Sequence, residues 1–194
     1  GIAGFYVDAT LMESENIRAR GMLLGATFKY DTVSAVGGQL ICANADTLDV
    51  DMTSADNSNL TITGATSFAV NDILLIRGIA TSGIQEEYMR VTVVAGVSYT
   101  LTRDLAGTYA ANSNPAWKKG VTVVKIGKSD GAATYSGGWL RLLGEGTNSP
   151  FYSVFARTGT AYNAYSERVR IGNLNGIGGF VADTFGAFMG SISS

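Results

Sequence analysis

The side chains that could do chemistry are few in this sequence. Its 194 residues include no histidine, which is the commonest general base and a frequent zinc ligand. A Ser-His-Asp triad is therefore excluded, and acid-base catalysis would need carboxylates or lysines. The sequence also lacks a Walker loop and a Gly-x-Gly-x-x-Gly fingerprint. We expect no enzyme activity and no cofactor.

The densest acidic cluster contains Asp46, Asp49, Asp51 and Asp56. This spacing suggests either a calcium site or the paired carboxylates of a glycosidase. The glycine and the distal glutamate of an EF-hand loop are missing, however. On an extended strand, Asp49 and Asp51 would lie about 7 Å apart on one face. A solvated strand edge is the commoner explanation, so Asp46, Asp49 and Asp51 are weak metal candidates.

Aromatic residues interleaved with Gly, Ser and Asn form a second candidate group. Tyr135, Trp139, Tyr162 and Tyr165 have rings that could cover the apolar face of a sugar, so we consider them as glycan or receptor contacts. Packing inside an oligomer core or interface is the alternative. Trp117 lies in a predicted loop, where it could anchor a partner or fold over the end of a barrel.

The overall composition narrows the class of partner. Only 15% of the residues are charged and the net charge is -2, so no basic stripe is present to bind nucleic acid. No apolar run reaches the roughly 18 residues that a membrane span needs. Cys42 is the only cysteine, which excludes an internal disulfide. We expect the chain to be an ordered segment of a longer protein.

Short strand-like runs dominate the middle of the chain. The turn pair Asn71-Asp72 introduces one of them, and turn residues separate the others. Short strands at this spacing favour a small antiparallel β-barrel or sandwich. The predicted strands are Leu60–Thr63, Ile73–Ile76, Tyr88–Val94, Ser98–Thr102 and Val121–Ile126.

The charged residues of this region are predicted to lie at the surface. Glu86 and Glu87 with Arg90, and Arg103 with Asp104, are expected to form exposed ion pairs that protect strand edges. The segments 80–86 and 108–119 are expected to be outward loops.

The last third of the chain is rich in glycine and aromatic residues. The segment Val123–Gly127 is echoed by Arg168–Gly172, and a strand that ends in glycine suits close approach of another backbone. We expect the aromatic rings of this region to need cover from identical neighbouring chains. These rings are Trp139, Phe151, Tyr152, Phe155, Phe180, Phe185 and Phe188.

Three regions follow from these patterns. Residues 1–52 are predicted to be an N-terminal connector, with a short helix between Thr10 and Arg20 and then strands that include Gln39–Cys42. Residues 53–127 are predicted to form the small β-barrel or sandwich. Residues 128–194 are predicted to form an intertwined, Gly-rich trimeric β region. The expected fold class is mainly β.

Three segments, taken in order, carry a resemblance to a known family. Phe68–Ile76 reads Phe-Ala-Val-Asn-Asp-Ile-Leu-Leu-Ile, Thr147–Phe151 follows it, and Arg168–Ile177 reads Arg-Val-Arg-Ile-Gly-Asn-Leu-Asn-Gly-Ile. From about Gly37 onward the chain resembles the late regions of bacteriophage tail, tail-tip and tail-fibre proteins. The resemblance implies a trimeric virion component with structural or receptor-binding duty, and it implies no catalytic residues.

The sequence therefore predicts a structural, non-enzymatic part of a phage tail or tail fibre. Its partners would be two further copies of itself, other tail proteins and a host surface glycan or protein. Two alternatives stay open. One is a tail-spike polysaccharide depolymerase with an acid pair such as Asp49 and Asp51, and the other is a bacterial surface adhesin or injection-system fibre.

Overall fold

The computed structural model describes residues 6–7, 12–13, 39–57, 59–80, 83–180 and 184–190. The chain divides into two compact units, Gly1–Ser34 and Ala35–Ser194. In the first unit, strand β1 (Tyr6–Val7) pairs antiparallel with β2 (Met12–Glu13). The helix predicted between Thr10 and Arg20 is replaced by strand at these two β2 positions. The rest of that segment lies outside the described residues.

The described part of the second unit is built from twelve strands. About half of all described residues are in strands and none is in a helix, so the mainly-β prediction is confirmed and no described helix could cross a membrane. The strands are β3 (Gln39–Cys42), β4 (Ala45–Thr47), β5 (Leu60–Thr61), β6 (Asp72–Ala80), β7 (Gly83–Ala95), β8 (Ser98–Thr102), β9 (Thr122–Ser129), β10 (Tyr135–Ser136), β11 (Gly138–Leu143), β12 (Phe151–Arg157), β13 (Tyr165–Asn173) and β14 (Phe185–Met189).

Seven strands form one curled antiparallel sheet, a half-barrel. Its order is β10-β9-β6-β7-β8-β5, and β4 also pairs with β9. All five strands predicted between residues 59 and 127 are present. The prediction of a barrel-like antiparallel sheet is therefore confirmed, in the form of a half-barrel. Residues 83–86 of the predicted outward loop 80–86 are strand instead, because β7 begins at Gly83 and pairs with β6, and residues 81 and 82 lie outside the described residues.

A continuous apolar run in β6 explains why this sheet is covered on both faces. Leu74 and Ile76 lie in the core of the half-barrel, while Ile73 and Leu75 lie in a second core on the opposite face. Successive side chains of a strand point to opposite faces, so four apolar residues in a row serve two cores. The half-barrel core also contains Leu48, Met52, Leu60, Ile62, Phe68, Met89, Val91, Tyr99, Leu101, Trp117 and Val123.

The second core lies between the half-barrel and a five-stranded antiparallel sheet of order β14-β13-β12-β11-β3. Trp139 and Phe155 enter this core from the five-stranded sheet, and Ile126 enters it from the half-barrel. Both β3 and β4 belong to sheets, so residues expected in the N-terminal connector contribute to the fold of the second unit.

The strands after residue 128 pair within a single chain. Trp139, Phe151 and Phe155 are buried inside that chain. The expectation that all the rings need neighbouring copies is therefore wrong for these three, because the inner face of the five-stranded sheet packs on the half-barrel. Phe180 and Phe185 remain 38% and 61% exposed.

The two echoed glycines occupy crowded, positive-φ positions near strand ends. Gly127 has φ +136° and Gly172 has φ +123°, and a β-carbon on Gly172 would lie 2.6 Å from the carbonyl oxygen of Pro150. A β-carbon on Gly127 would lie 2.5 Å from Cδ of Arg157. The prediction of close approach at these glycines is therefore confirmed.

Candidate functional site

The acidic cluster is distributed among separate contacts. Asp46 is buried, where it accepts hydrogen bonds from the Thr63 hydroxyl and from the backbone N–H groups of Thr47 (2.7 Å) and Thr66 (2.9 Å). Burial by itself would raise the pKa of Asp46, but these hydrogen bonds together outweigh it and lower the pKa. Asp46 therefore acts as a structural acceptor that ties β4 to the loop between β5 and β6.

The other aspartates of the cluster bind polar groups of the 112–119 segment. Asp49 pairs with Lys119 at 2.9 Å and Asp51 pairs with Lys118 at 2.7 Å, and both pairs are exposed. Asp56 accepts a hydrogen bond from the backbone N–H of Asn112 at 3.0 Å. Among the described residues, no group of three or more acidic or cysteine side chains could hold a metal ion.

A buried charge network lies inside the half-barrel. The carboxylate of Glu87 accepts hydrogen bonds from Arg103 Nε (2.8 Å), Arg103 Nη2 (2.7 Å) and the indole N–H of Trp117 (2.7 Å). Glu87 is 1% exposed and Arg103 is 7% exposed. The expectation of an exposed ion pair is wrong for these two residues. Trp117 is fully buried, so it folds into the barrel core and its ring is not a surface contact.

One motif escaped the sequence reasoning. Gly127–Gly131 matches the Gly-x-Ser-x-Gly pattern of a nucleophile elbow. Ser129 is buried, and its hydroxyl donates a 2.6 Å hydrogen bond to the carbonyl oxygen of Thr160. It lies at the end of β9, followed by a loop and β10, whereas a nucleophile elbow joins a strand to a helix. With no histidine in the chain, the motif serves structure.

A cleft opens between the half-barrel and the inner face of the five-stranded sheet, and we call it the inter-sheet cleft. Its volume is about 180 Å³. Its walls combine apolar, aromatic and charged side chains from five strands and from the start of β3. The lining residues are Gln39, Ile41, Leu75, Arg77, Glu86, Tyr88, Ile126, Trp139, Arg141 and Tyr165.

Three of the four predicted aromatic contacts lie in or beside this cleft. Trp139 and Tyr165 line it, with an edge-to-face contact whose ring centroids are 5.8 Å apart. The ring of Tyr162 contacts that of the lining residue Tyr88, with 4.9 Å between the ring centroids. The guanidinium of Arg157 donates to the carbonyl oxygen of Tyr162 at 3.1 Å and so holds the loop that carries it. Tyr135 lies elsewhere, 43% exposed on the edge strand β10.

Burial and neighbouring charges shift the pKa values of three polar groups that line the cleft. Burial raises the pKa of Tyr88 and of Tyr165, and Glu86 raises that of Tyr88 further by hydrogen bonding and charge. Burial lowers the pKa of Arg141, against the opposing charge of Glu167. Both phenols therefore stay neutral hydroxyl groups near pH 7.

Sequence reasoning missed the charged members of the cleft. Arg141 follows Trp139 by two residues on β11, so both side chains point to the same face, and this alternation was a readable signal. Arg77 and Glu86 are register partners on β6 and β7. Their position in the cleft depends on the packing of two sheets, which no local pattern encodes.

The opposite face of the five-stranded sheet carries two rows of apolar side chains, and we call it the outer apolar face. Strand register places Leu40, Leu142, Tyr152, Ile171 and Ala187 in one row, and Cys42, Leu140, Val154, Val169 and Met189 in the other. None of these ten positions carries a charge.

Exposure is high across the outer apolar face. Leu40 is 53% exposed, Leu142 45%, Ile171 49% and Met189 75%. The inner face of the same sheet combines buried aromatic rings with charged side chains, including the ion pair between Glu167 and Arg170 at 2.5 Å. A sheet with one solvated face usually carries polar residues on that face. The outer apolar face is therefore a candidate interface.

No family model, curated protein or solved structure matches this chain. The resemblance to phage tail proteins therefore stays a hypothesis that rests on the quoted sequence segments alone.

Proposed function

We propose that this chain is a structural, non-enzymatic module that assembles with copies of itself through the outer apolar face. One observation carries the proposal, namely that ten uncharged side chains in two registered rows cross all five strands. Exposed apolar patches of this kind mark interaction surfaces on soluble proteins.

The size of the face suits the core of an interface. Five strands spaced about 4.8 Å apart and two rows about 7 Å apart give a face of about 24 Å by 14 Å when the width of the outermost side chains is included, so the face covers roughly 300 Å². A stable interface buries about 800 Å² on each partner. The outer apolar face would supply the apolar core of such an interface, and the surrounding polar surface would supply the rim.

A second copy of this chain is the partner that best fits the face. It is a regular sheet surface without charges, and regular sheets pack face to face about 10 Å apart. Two copies would pack this face directly on itself about a twofold axis, and three copies would turn it toward a threefold axis, so the same patch serves every subunit in either symmetry. The resemblance to tail proteins favours three subunits.

The resemblance also suggests where the assembly acts. We place it in the virion, as part of a phage tail or tail fibre that contributes mechanical strength and attachment to the host surface. The segments behind this placement form parts of β6 and β13, one strand in each sheet. Mass spectrometry of purified particles should find the chain in the phage whose genome encodes it. Its absence from those particles would refute the tail assignment.

Sedimentation equilibrium tests the assembly directly. We expect three subunits at micromolar concentration, and we expect Leu142→Glu to give single subunits because it places a charge in the middle of the outer apolar face. Val50→Glu is the matched control, since Val50 is similarly exposed at 48% but lies away from the five-stranded sheet.

Each outcome of this experiment has a defined meaning. A wild-type chain that is a stable single subunit at micromolar concentration contradicts the proposal. Two subunits that Leu142→Glu separates would keep the outer apolar face as the interface and overturn the threefold arrangement. Assembly that survives Leu142→Glu would show that another surface holds the copies together.

A further inference from the structure

Two side chains that line the inter-sheet cleft each carry a buried hydrogen-bond donor with no acceptor among the described residues. These donors are the indole Nε1 of Trp139 and the Nε of Arg141, and neither is accessible to solvent. Trp139 as a whole is only 8% exposed. Buried donors in native proteins nearly always have partners, and leaving one unsatisfied is costly. Two such donors on neighbouring lining side chains show that the described part of the chain does not satisfy the polar groups of this wall.

The charges of the cleft favour an anionic acceptor. Arg77, Arg141 and Glu86 give its lining a net charge of +1. None of the ion pairs among the described residues includes any of these three. The guanidinium carbon of Arg141 instead lies 4.8 Å from the ring centre of Phe155 and 5.1 Å from that of Phe151. A guanidinium held by rings keeps its hydrogen-bonding edge free for a carboxylate.

The size and the walls of the cleft limit the ligand to one ring. About 180 Å³ is well below the roughly 300 Å³ at which pockets for drug-sized ligands begin. It equals the space of roughly six water molecules at about 30 Å³ each. Aromatic walls beside neutral phenol hydroxyls suit a ligand with an apolar ring face and a hydroxylated edge.

We propose that the inter-sheet cleft binds a single carboxylate-bearing sugar residue, a hexuronic acid. The terminal Nη groups of Arg141 hold the carboxylate beside the Trp139 indole, and Tyr88 and Tyr165 contact the ring and its hydroxyl groups. Arg77 and Gln39, joined across the mouth of the cleft by a 3.3 Å hydrogen bond, lie where a saccharide chain would leave. This inference deepens the attachment part of the proposed function but does not depend on self-assembly, because the outer apolar face is the opposite face of the sheet.

The indole N–H signals of the two tryptophans provide a probe and an internal control for a binding test by NMR. In the full chain labelled with ¹⁵N, titration with the methyl glycoside of D-galacturonic acid should shift the indole N–H signal of Trp139. The signal of Trp117 should stay fixed, because that N–H is bonded to Glu87 in the other core. We expect a dissociation constant on the order of millimolar for one sugar ring. The variant Trp139→Phe assigns the signal by removing it.

Two comparisons separate the parts of the proposal. The neutral methyl galactoside should bind at least tenfold more weakly, and so should acetate, which has the carboxylate without the ring.

Arg77→Gln, at the exposed mouth, should weaken galacturonoside binding several-fold without unfolding the chain, whereas Lys118→Gln on the far loop should leave it unchanged. Equal binding of the neutral sugar or of acetate, or an unmoved Trp139 signal at saturating galacturonoside, would overturn the proposal, whatever the subunit number proves to be.

Discussion

At the residue scale, buried polar groups organise the half-barrel. Glu87 connects Arg103 and Trp117, and Arg103 in turn donates hydrogen bonds to backbone carbonyls that include Pro115 at 2.9 Å. The network therefore joins β7 to the loop that carries Trp117. In a low-dielectric core such a network is favourable only when every member is satisfied.

Replacing Glu87 with Gln tests this network. The change leaves the Arg103 charge buried without its counterion, so we expect the free energy of unfolding to fall by about 3–5 kcal/mol. Urea denaturation measures the loss. Glu145→Gln, at an exposed position, is the control and should stay within about 0.5 kcal/mol of the wild type. A similar small effect at both positions would argue against a stabilising role for the network.

The exposed loop after β9 carries a second residue-scale prediction. The carboxylate of Asp130 accepts hydrogen bonds from the backbone N–H groups of Ala132 (2.8 Å), Ala133 (2.9 Å) and Thr134 (3.0 Å). These bonds lower the pKa of Asp130 from 3.8 to about 2. A lowered pKa in the folded chain means that this stabilisation is complete above about pH 3.8 and is lost as the pH falls through 2. A carbon-detected NMR titration should place the midpoint near 2, and a midpoint near 3.8 would refute the loop geometry.

At the element scale, the five-stranded sheet depends on close backbone approach near its strand ends. Gly172 of β13 pairs with Phe151 of β12, and a side chain there would press on the backbone of Pro150 and Phe151. Gly172 also has φ +123°, which residues with a side chain rarely adopt and which costs them about 1–3 kcal/mol. Conformation and contact therefore both require glycine at this position.

Gly172→Ala separates these two costs when it is compared with Gly146→Ala. Gly146 has a similar positive φ of +107°, but a β-carbon there would meet no described atom within 4 Å. We expect about 1–3 kcal/mol of destabilisation at Gly146 from the backbone alone. At Gly172 we expect at least about 1 kcal/mol more, from overpacking. Thermal unfolding of the two variants, followed by circular dichroism, measures the difference, and equal losses would contradict the crowding.

At the scale of the whole molecule, the described part of the second unit has three covered sheet faces and one uncovered face. The β6 strand buries both of its faces within the chain, whereas the five-stranded sheet buries only its inner face. Burying apolar area stabilises by about 25 cal/mol per Å², so covering the outer apolar face by association would contribute several kcal/mol.

Self-association of this kind predicts a concentration-dependent melting temperature. If folding and association are linked, the Tm should rise as the chain concentration is raised from micromolar to hundreds of micromolar. Ile171→Glu, in the same row as Leu142, should remove the dependence and lower the Tm toward that of the single subunit. Differential scanning calorimetry at several concentrations provides the measurement. A Tm that is independent of concentration in the wild type would contradict linked assembly.

The sequence alone predicted the local elements well wherever the residue types and the spacing of apolar residues indicate the same element. The apolar run Ile73–Ile76, the turn at Asn71 with its φ of +72°, and the crowded glycines at 127 and 172 were all readable, because backbone sterics and strand alternation act over a few residues. The absence of histidine likewise removed whole classes of catalysis without any structure.

Only the tertiary structure decided which side chains share a site. Glu87 and Arg103 look like surface charges in the sequence but meet in a core, and Arg141 reaches the cleft because a sheet built from β3 and β11 to β14 packs on the half-barrel. The same packing covered Trp139, Phe151 and Phe155 within one chain. Register across strands far apart in sequence is set by the total burial that a fold achieves, and local preference does not contain that sum.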